Sequence, residues 1–235
     1  AKEIKVVAAV FVTGSDTGCG KTFVSEYLIR GAVTLGLKAT GMKPVATGVI
    51  PETGENEDVV KLASASTPTP EHSLLNQYCY PEPCSPNIAS DLNGSEISLD
   101  RIQTAFEELR DHYDLVVVEA VGGWKVPLGK AISVADLAAK LNIPVVIVVG
   151  VRLGCINHAL LTAESLHNSN VNVCGWVANL YDDTILFPGR VKNTLLSNMN
   201  YPLLQVFNRN EPMKAGKALA EVLLGALGGK SASKL

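Results

Sequence analysis

Short apolar runs rich in valine and isoleucine alternate with segments of helical periodicity along nearly the whole chain. The runs at 6–13, 38–44, 115–119, 145–150, 173–178 and 203–207 predict strands. Several are apolar at every position, as parallel strands are when helices cover both faces. Helical spacing predicts helices at 21–35, 99–111, 134–141, 158–167 and 188–199. Strand and helix in alternation predict an α/β fold, a doubly wound and mostly parallel sheet with helices on both faces. In such sheets ligands bind beyond the carboxyl ends of the strands, so the residues that follow each strand carry the chemistry.

The stretch from Gly48 to about Leu99 is less periodic and rich in proline (Pro51, Pro68, Pro70, Pro81, Pro83, Pro86), which predicts a loop-rich excursion with short helices. From Gly225 onward glycine, lysine, serine and alanine dominate. The organisation expected is one domain over 1–224 and a flexible tail over 225–235. The chain has 235 residues, 47% hydrophobic and 18% charged, enough apolar surface to exclude disorder. A net charge of -3 argues against a dedicated nucleic-acid binder, which needs a basic surface for phosphate contacts. The longest apolar runs are far shorter than the ~20 residues that span a bilayer, so no membrane role is expected. The first run is followed directly by a glycine-rich loop, which argues against a cleaved leader. Five scattered cysteines and four histidines show no metal-ligand spacing and no disulfide framework, and they fit a reducing cytoplasm. Ser233-Lys234-Leu235 matches a peroxisomal address in form, against the plainer reading of a disordered tail.

Gly14-Ser15-Asp16-Thr17-Gly18-Cys19-Gly20-Lys21-Thr22 follows a strand and opens a helix. Consecutive N–H groups in such a loop can surround a phosphate, aided by the positive end of the helix. Lys21 would reach the outer phosphates and the Thr22 hydroxyl would sit on Mg²⁺. Five residues, not the usual four, separate Gly14 from Gly20. Lys43, at the end of the next strand, is either a second cation for a transferred phosphoryl group or a solvated strand-end lysine. Glu119 ends a buried strand, where an acid can stand beside nucleotide-bound metal or face solvent, and Gly122-Gly123 would let backbone approach phosphate. Asp58 fits a metal-side acid or an acidic helix start equally well. Gly154-Cys155-Ile156-Asn157 could receive an anion on its N–H groups, although Asn157 alone would also make a good N-cap. Asn179 could bond an adenine edge or form a turn. Trp124 and Trp176 read as packing residues, and His158 as packed at a helix start.

Several segments together resemble the dethiobiotin synthetases. They are Val12 to Thr17 with Gly20-Lys21-Thr22, then Lys43-Pro44-Val45-Ala46-Thr47-Gly48, Pro83-Cys84-Ser85-Pro86, Val118-Glu119 and Gly122 to Leu128. The run from Val149 to Ala159, containing Leu153-Gly154-Cys155-Ile156-Asn157-His158, is the most distinctive, followed by Gly175-Trp176-Val177-Ala178-Asn179. The resemblance spans about residues 11 to 207. It implies a P-loop ATP-dependent cyclo-ligase of biotin biosynthesis in the cytoplasm. Its substrates would be 7,8-diaminononanoate, CO2 and ATP, with Mg²⁺ as cofactor. It further implies that Lys43 and Lys21 are catalytic, and that Gly18, Cys19, Gly20, Lys21, Thr22, Phe23, Asp58, Glu119, Gly122 and Asn179 contact nucleotide. Metal would lie on Thr22, Asp58 and Glu119. Thr47 would touch the diamine-carbamate end. Gly154, Cys155, Ile156 and Asn157 of the neighbouring subunit in a homodimer would receive the substrate carboxylate. Two departures stand out: Gly18-Cys19 where some relatives carry an acid first, and Gln205 to Arg209 without an Ile-Pro pair. Two alternatives, a partitioning-type regulatory ATPase and a cobyrinate-type amide ligase, share the loop. Asp16 occupies the place of the former's signature lysine, and the chain has no room for the latter's glutaminase domain.

Overall fold

The computed structural model describes residues 8–228. In chain order the elements are β1 (Ala8–Gly14), α1 (Lys21–Thr34), β2 (Ala39–Met42), β3 (Val45–Thr47), α2 (Glu57–Ala65), α3 (His72–Leu75), β4 (Tyr78–Tyr80), α4 (Pro86–Leu92), α5 (Leu99–His112) and β5 (Leu115–Glu119). They continue with β6 (Pro127–Gly129), β7 (Ile132–Ser133), α6 (Val134–Leu141), β8 (Val145–Gly150), α7 (Cys155–His167), β9 (Val173–Leu180), α8 (Pro188–Asn198), β10 (Leu203–Asn208) and α9 (Pro212–Ala226). Six strands form the central sheet in the order β10-β9-β8-β1-β5-β2, every pairing parallel. The doubly wound α/β expectation holds.

The period of two along β1 divides the core. Ala9 and Phe11 point to the face covered by α5, α6, α7 and α8, while Ala8, Val10 and Val12 point to the face covered by α1, α2 and α9. Both faces are dry, which explains why β1, β5 and β8 read as unbroken apolar runs. After β1 the chain first builds the β5–β2 side of the sheet and later returns to build the β8–β10 side. The carboxyl end of β1 is therefore the switch point, where ligands bind in this architecture.

Three differences from the sequence-based expectations have physical causes. The strand expected at 38–44 stops at Met42, because Pro44 has no N–H to give a ladder. The chain then starts β3, which pairs with β4 in a separate small parallel sheet. Helix α7 begins at Cys155, three residues before the expected start at 158. Helix α9 went unread, although Ala215, Leu219, Ala220 and Leu223 give it a buried stripe. It packs closely on α1: a Cβ on Gly216 would strike the Tyr27 backbone, and one on Gly31 would strike Gly216. The helix runs through Gly225, where the tail was expected to begin, and 229–235, with the Ser-Lys-Leu terminus, lie outside the described residues. Residues 6 and 7 of the first expected strand lie outside them too. Among the described residues no helix is long and apolar enough to cross a membrane.

Candidate active site

Gly20 stands between the loop and α1 at φ +91°, a conformation open to glycine. A Cβ there would also collide with the Asn179 side chain. The Ser15 N–H bonds the Val148 carbonyl at 3.0 Å, tying the loop to β8. Asn179 Nδ2 donates to the Cys19 carbonyl at 3.1 Å, and Asn179 Oδ1 is buried without a partner among the described residues. Asn179 lies inside β9, so the turn-forming alternative fails. Lys21 is buried, and its Nζ rests on the Asp16 carbonyl at 3.3 Å.

Glu119 ends β5 with no exposure at all. Its Oε1 accepts from the Thr22 hydroxyl at 2.7 Å and from Lys43 Nζ at 2.6 Å. Lys43 is only 3% exposed, which overturns the solvated-lysine alternative, just as Glu119 overturns the solvent-facing acid. Lys43 Nζ also donates to Asp58 Oδ2 at 2.9 Å and to the Ala120 carbonyl at 3.4 Å. The backbone of Lys43 is pinned at both ends: its N–H bonds the Leu75 carbonyl, and its carbonyl accepts from Asn76 Nδ2. Burial alone would lower the Lys43 pKa, but the Glu119 and Asp58 carboxylates outweigh it and hold the pKa above the usual lysine value. For Asp58 burial works upward, the Lys43 cation works downward, and the net shift is downward.

The acidic helix-start reading of Asp58 holds, and its carboxylate is also drawn into the Lys43 group. It lies in the first turn of α2, where its N–H is capped by Asn56 Oδ1, and its carboxylate meets Lys43. Asn56 was missed. Its Nδ2 donates to the Gly48 carbonyl at 2.7 Å, fastening the loop after Thr47 to α2. An asparagine directly before Glu57-Asp58 was the available signal, an N-cap in front of an acidic first turn.

Of these groups, Lys21, Thr22, Lys43 and Asp58 line a cavity of about 270 Å³, together with Thr17, Gly18, Gly20, Thr47, Asn56 and Gly122. Phe23 does not line it; its ring packs edge-on against Tyr27 and Phe207. Gly154, Ile156 and Asn157 line a different cavity, of about 730 Å³, with Arg152, Leu160, Leu186 and Val191. Gly154, not Asn157, is the N-cap of α7, which corrects the capping alternative for Asn157. Cys155 is buried, so it presents only backbone. Trp124 and Trp176 are buried as expected. His158 is partly exposed, with Nδ1 3.5 Å from Asp16 Oδ2. Asp16 also pairs with Arg152, a contact the sequence did not suggest.

A phosphate loop at a switch point, with a lysine and a threonine opening its helix, defines a P-loop NTPase of the doubly wound α/β class. Solved structures agree on the fold. The cell division ATPase MinD from Pyrococcus furiosus aligns with a TM-score of 0.55 at 16% identity, covering 93% of this chain and 99% of that one. Cobyrinic acid a,c-diamide synthase from Mycobacterium smegmatis gives 0.54 at 12% identity, covering 94% and 96%. A family profile described as an AAA domain matches residues 8–215. At the sequence level the chain is 44% identical over 216 residues to the ATP-dependent dethiobiotin synthetase BioD of Aromatoleum aromaticum, covering 91% of this chain and 94% of that protein. It is 46% identical over 176 residues to the BioD of Xanthomonas axonopodis pv. citri, covering 74% and 79%. The chain belongs to the ATP-dependent dethiobiotin synthetase family, and it is a ligase of that family.

Proposed function

We infer that this chain carries out the ATP-dependent carboxylation and ring closure of 7,8-diaminononanoate with CO2, the step of biotin biosynthesis that forms dethiobiotin. The observation that carries this reading is the buried Lys43 ammonium, held between Glu119 and Asp58 at the mouth of the phosphate loop. One amine of the diamine adds to CO2 and loses a proton, giving a carbamate. A carbamate oxygen attacks the γ-phosphorus of ATP, the bond to the bridging oxygen breaks, and ADP leaves. The second amine then attacks the carbonyl of this carbamic-phosphoric anhydride, and phosphate departs with the proton that this amine gives up as the ring closes. Phosphorylation turns a poor leaving group into a competent one, so the site needs charge stabilisation more than an acid–base pair.

Lys21 and the N–H groups from Gly18 to Phe23 bind the phosphates, with Gly122 closing over them. Lys43 is positioned for charge developing on the transferred phosphoryl oxygens, and Thr47 for the carbamate end. Asn179, whose Oδ1 lacks a partner among the described residues, is suited to accept from an adenine amino group. The Thr22 hydroxyl, Asp58 and Glu119 fit Mg²⁺. Glu119 Oε2 is buried with no partner among the described residues, and few protein oxygens suit an ion that keeps waters and phosphate oxygens. Bound there, Mg²⁺ would supply neutralisation of phosphate charge.

Gly154 to Asn157 open a helix outside the phosphate cavity, beside strongly exposed Leu153, Leu186 and Phe187. That arrangement favours a homodimer in which this helix start serves the neighbouring subunit's substrate carboxylate. We place the reaction in the cytoplasm, as the family resemblance implies. The test is phosphate release from MgATP with bicarbonate, with and without the diamine, following the cyclic urea by mass. Release that needs the diamine and matches urea formed supports the reading. Hydrolysis indifferent to the diamine removes it.

A further inference from the structure

The phosphate loop contains one carboxylate, Asp16. A negative charge in a loop that must surround phosphates works against binding unless something cancels it. The cancelling group comes from the turn after β8. Asp16 Oδ2 pairs with the Arg152 guanidinium and faces His158 Nδ1 at 3.5 Å. The other oxygen, Oδ1, accepts the Thr17 N–H at 2.7 Å, and the Asp16 carbonyl accepts Lys21 Nζ at 3.3 Å. One residue therefore influences a loop N–H and the phosphate lysine together. Arg152 has its own anchor: its carbonyl accepts the Cys155 N–H at 3.1 Å, closing the turn that opens α7. Thr17 and Lys21 line the phosphate cavity, but Asp16 and Arg152 do not; Arg152 lines the larger cavity at the start of α7.

We propose that Arg152 is a positioning residue for the nucleotide, acting through Asp16. It cancels the Asp16 charge and holds that carboxylate on the Thr17 N–H, so that the loop meets phosphate with its shape set and no net negative charge. This rests on the phosphate-loop part of the reading above and not on ring closure, so its test reads nucleotide binding alone.

The experiment is calorimetric titration of the full chain with MgADP for the wild type, Arg152→Gln, Arg152→Lys, Asp16→Asn and the double variant Asp16→Asn/Arg152→Gln, with thermal midpoints alongside. An unpaired acid within the phosphate loop should raise the Kd of Arg152→Gln about tenfold, and added salt should shrink that loss. Arg152→Lys keeps the charge and should stay within about threefold of the wild type. The double variant should recover to within about threefold of the wild type, because the charge that repelled is gone. Should Arg152→Gln fail to fold, Asp16→Asn against the double variant asks the same question: with Asp16 neutral, losing Arg152 should cost almost nothing. A double variant as weak as Arg152→Gln, or well below Asp16→Asn, would overturn the proposal, since Arg152 would then act on phosphate directly. Unchanged binding in Arg152→Gln also overturns it. A wild type that does not bind MgADP would remove the phosphate-loop reading, and this inference with it.

Discussion

The Lys43 pocket and the opening of α7 both lie at the carboxyl ends of the central strands, yet they are built from opposite materials. In the first, three charged side chains are packed together: Lys43 and Glu119 are essentially buried, and Asp58 closes the group from α2. Burying charge is expensive, and the cost is offset only by pairing and hydrogen bonds, which here come from Thr22 and the Ala120 carbonyl. In the second, the helix start is ringed by exposed apolar side chains, with Leu153 91% and Leu186 77% exposed. Exposed leucines gain by being covered, so that region is the half of the molecule suited to a partner. The first group is enclosed within one chain, whereas the second leaves apolar surface uncovered.

The sharpest way to break this contrast is at Lys43. Lys43→Ala should lower kcat about a thousandfold or more, measured as diamine-dependent phosphate release. It should also cost stability: removing the cation strands Glu119 as a buried, uncompensated carboxylate, at a cost of about 3 to 5 kcal/mol in the metal-free protein. The pair Lys43→Met and Lys43→Met/Glu119→Gln separates the two effects. The double variant should regain much of the stability, by urea denaturation, while turnover stays lost. If Lys43→Met turns over normally, Lys43 has no part in the chemistry.

The different legibility of the two regions has a physical origin. The places of Gly20-Lys21-Thr22, opening a helix, and of Glu119, ending a strand, could be read from sequence because they depend on local pattern. The burial of Lys43 could not. It depends on Glu119, 76 residues away, and on Asn76 holding the backbone, and neither is visible from the lysine's own surroundings. Only the resemblance to a family lifted Lys43 above the solvated reading. Asp16 and Arg152 are 136 residues apart, and nothing local to either suggests the other. Asn157 misled for the converse reason: an asparagine near a helix start reads as a cap, while Gly154 takes that place by virtue of its left-handed backbone. Helix α9 shows that even local periodicity goes unread near a glycine-rich chain end.

Charge placed on the apolar face should break the second half of the contrast. Leu153→Asp with Leu186→Asp should weaken self-association about a hundredfold or more, measured by analytical ultracentrifugation, because two desolvated carboxylates would face apolar surface. Nucleotide binding to the isolated chain should survive, since neither residue lines the phosphate cavity. A wild type that is monomeric throughout would remove the shared-site reading. A smaller effect belongs to Asn157→Ala. The backbone N–H groups that open α7 remain, so the Michaelis constant for the diamine should rise only about three- to tenfold, with kcat within about twofold. A fall in kcat at unchanged diamine affinity would move Asn157 from substrate binding to the chemical step.

The smallest expected effect tests the Lys43 pocket by pH. Asp58 has its pKa lowered in the folded chain, so its contribution to stability is present above the usual aspartate value near 3.8 and is lost as pH falls through the depressed one. Lys43 has its pKa raised, so its contribution is present below the usual lysine value near 10.5 and is lost only as pH climbs through the higher one. Between these limits the pair is intact. Asp58→Asn should therefore cost stability at neutral pH, but under about 1 kcal/mol, because the Asp58 side chain is about one-third exposed and solvent screens its interaction. The gap between variant and wild type should hold from pH 8 down to about 5 and close at still lower pH, as the wild-type carboxyl takes up its proton. Urea denaturation at pH 7, 5 and 3 measures it. A gap that widens on acidification would mean that Asp58 is not held as the anion by Lys43, and the enclosed charge group would then consist of Lys43 and Glu119 alone.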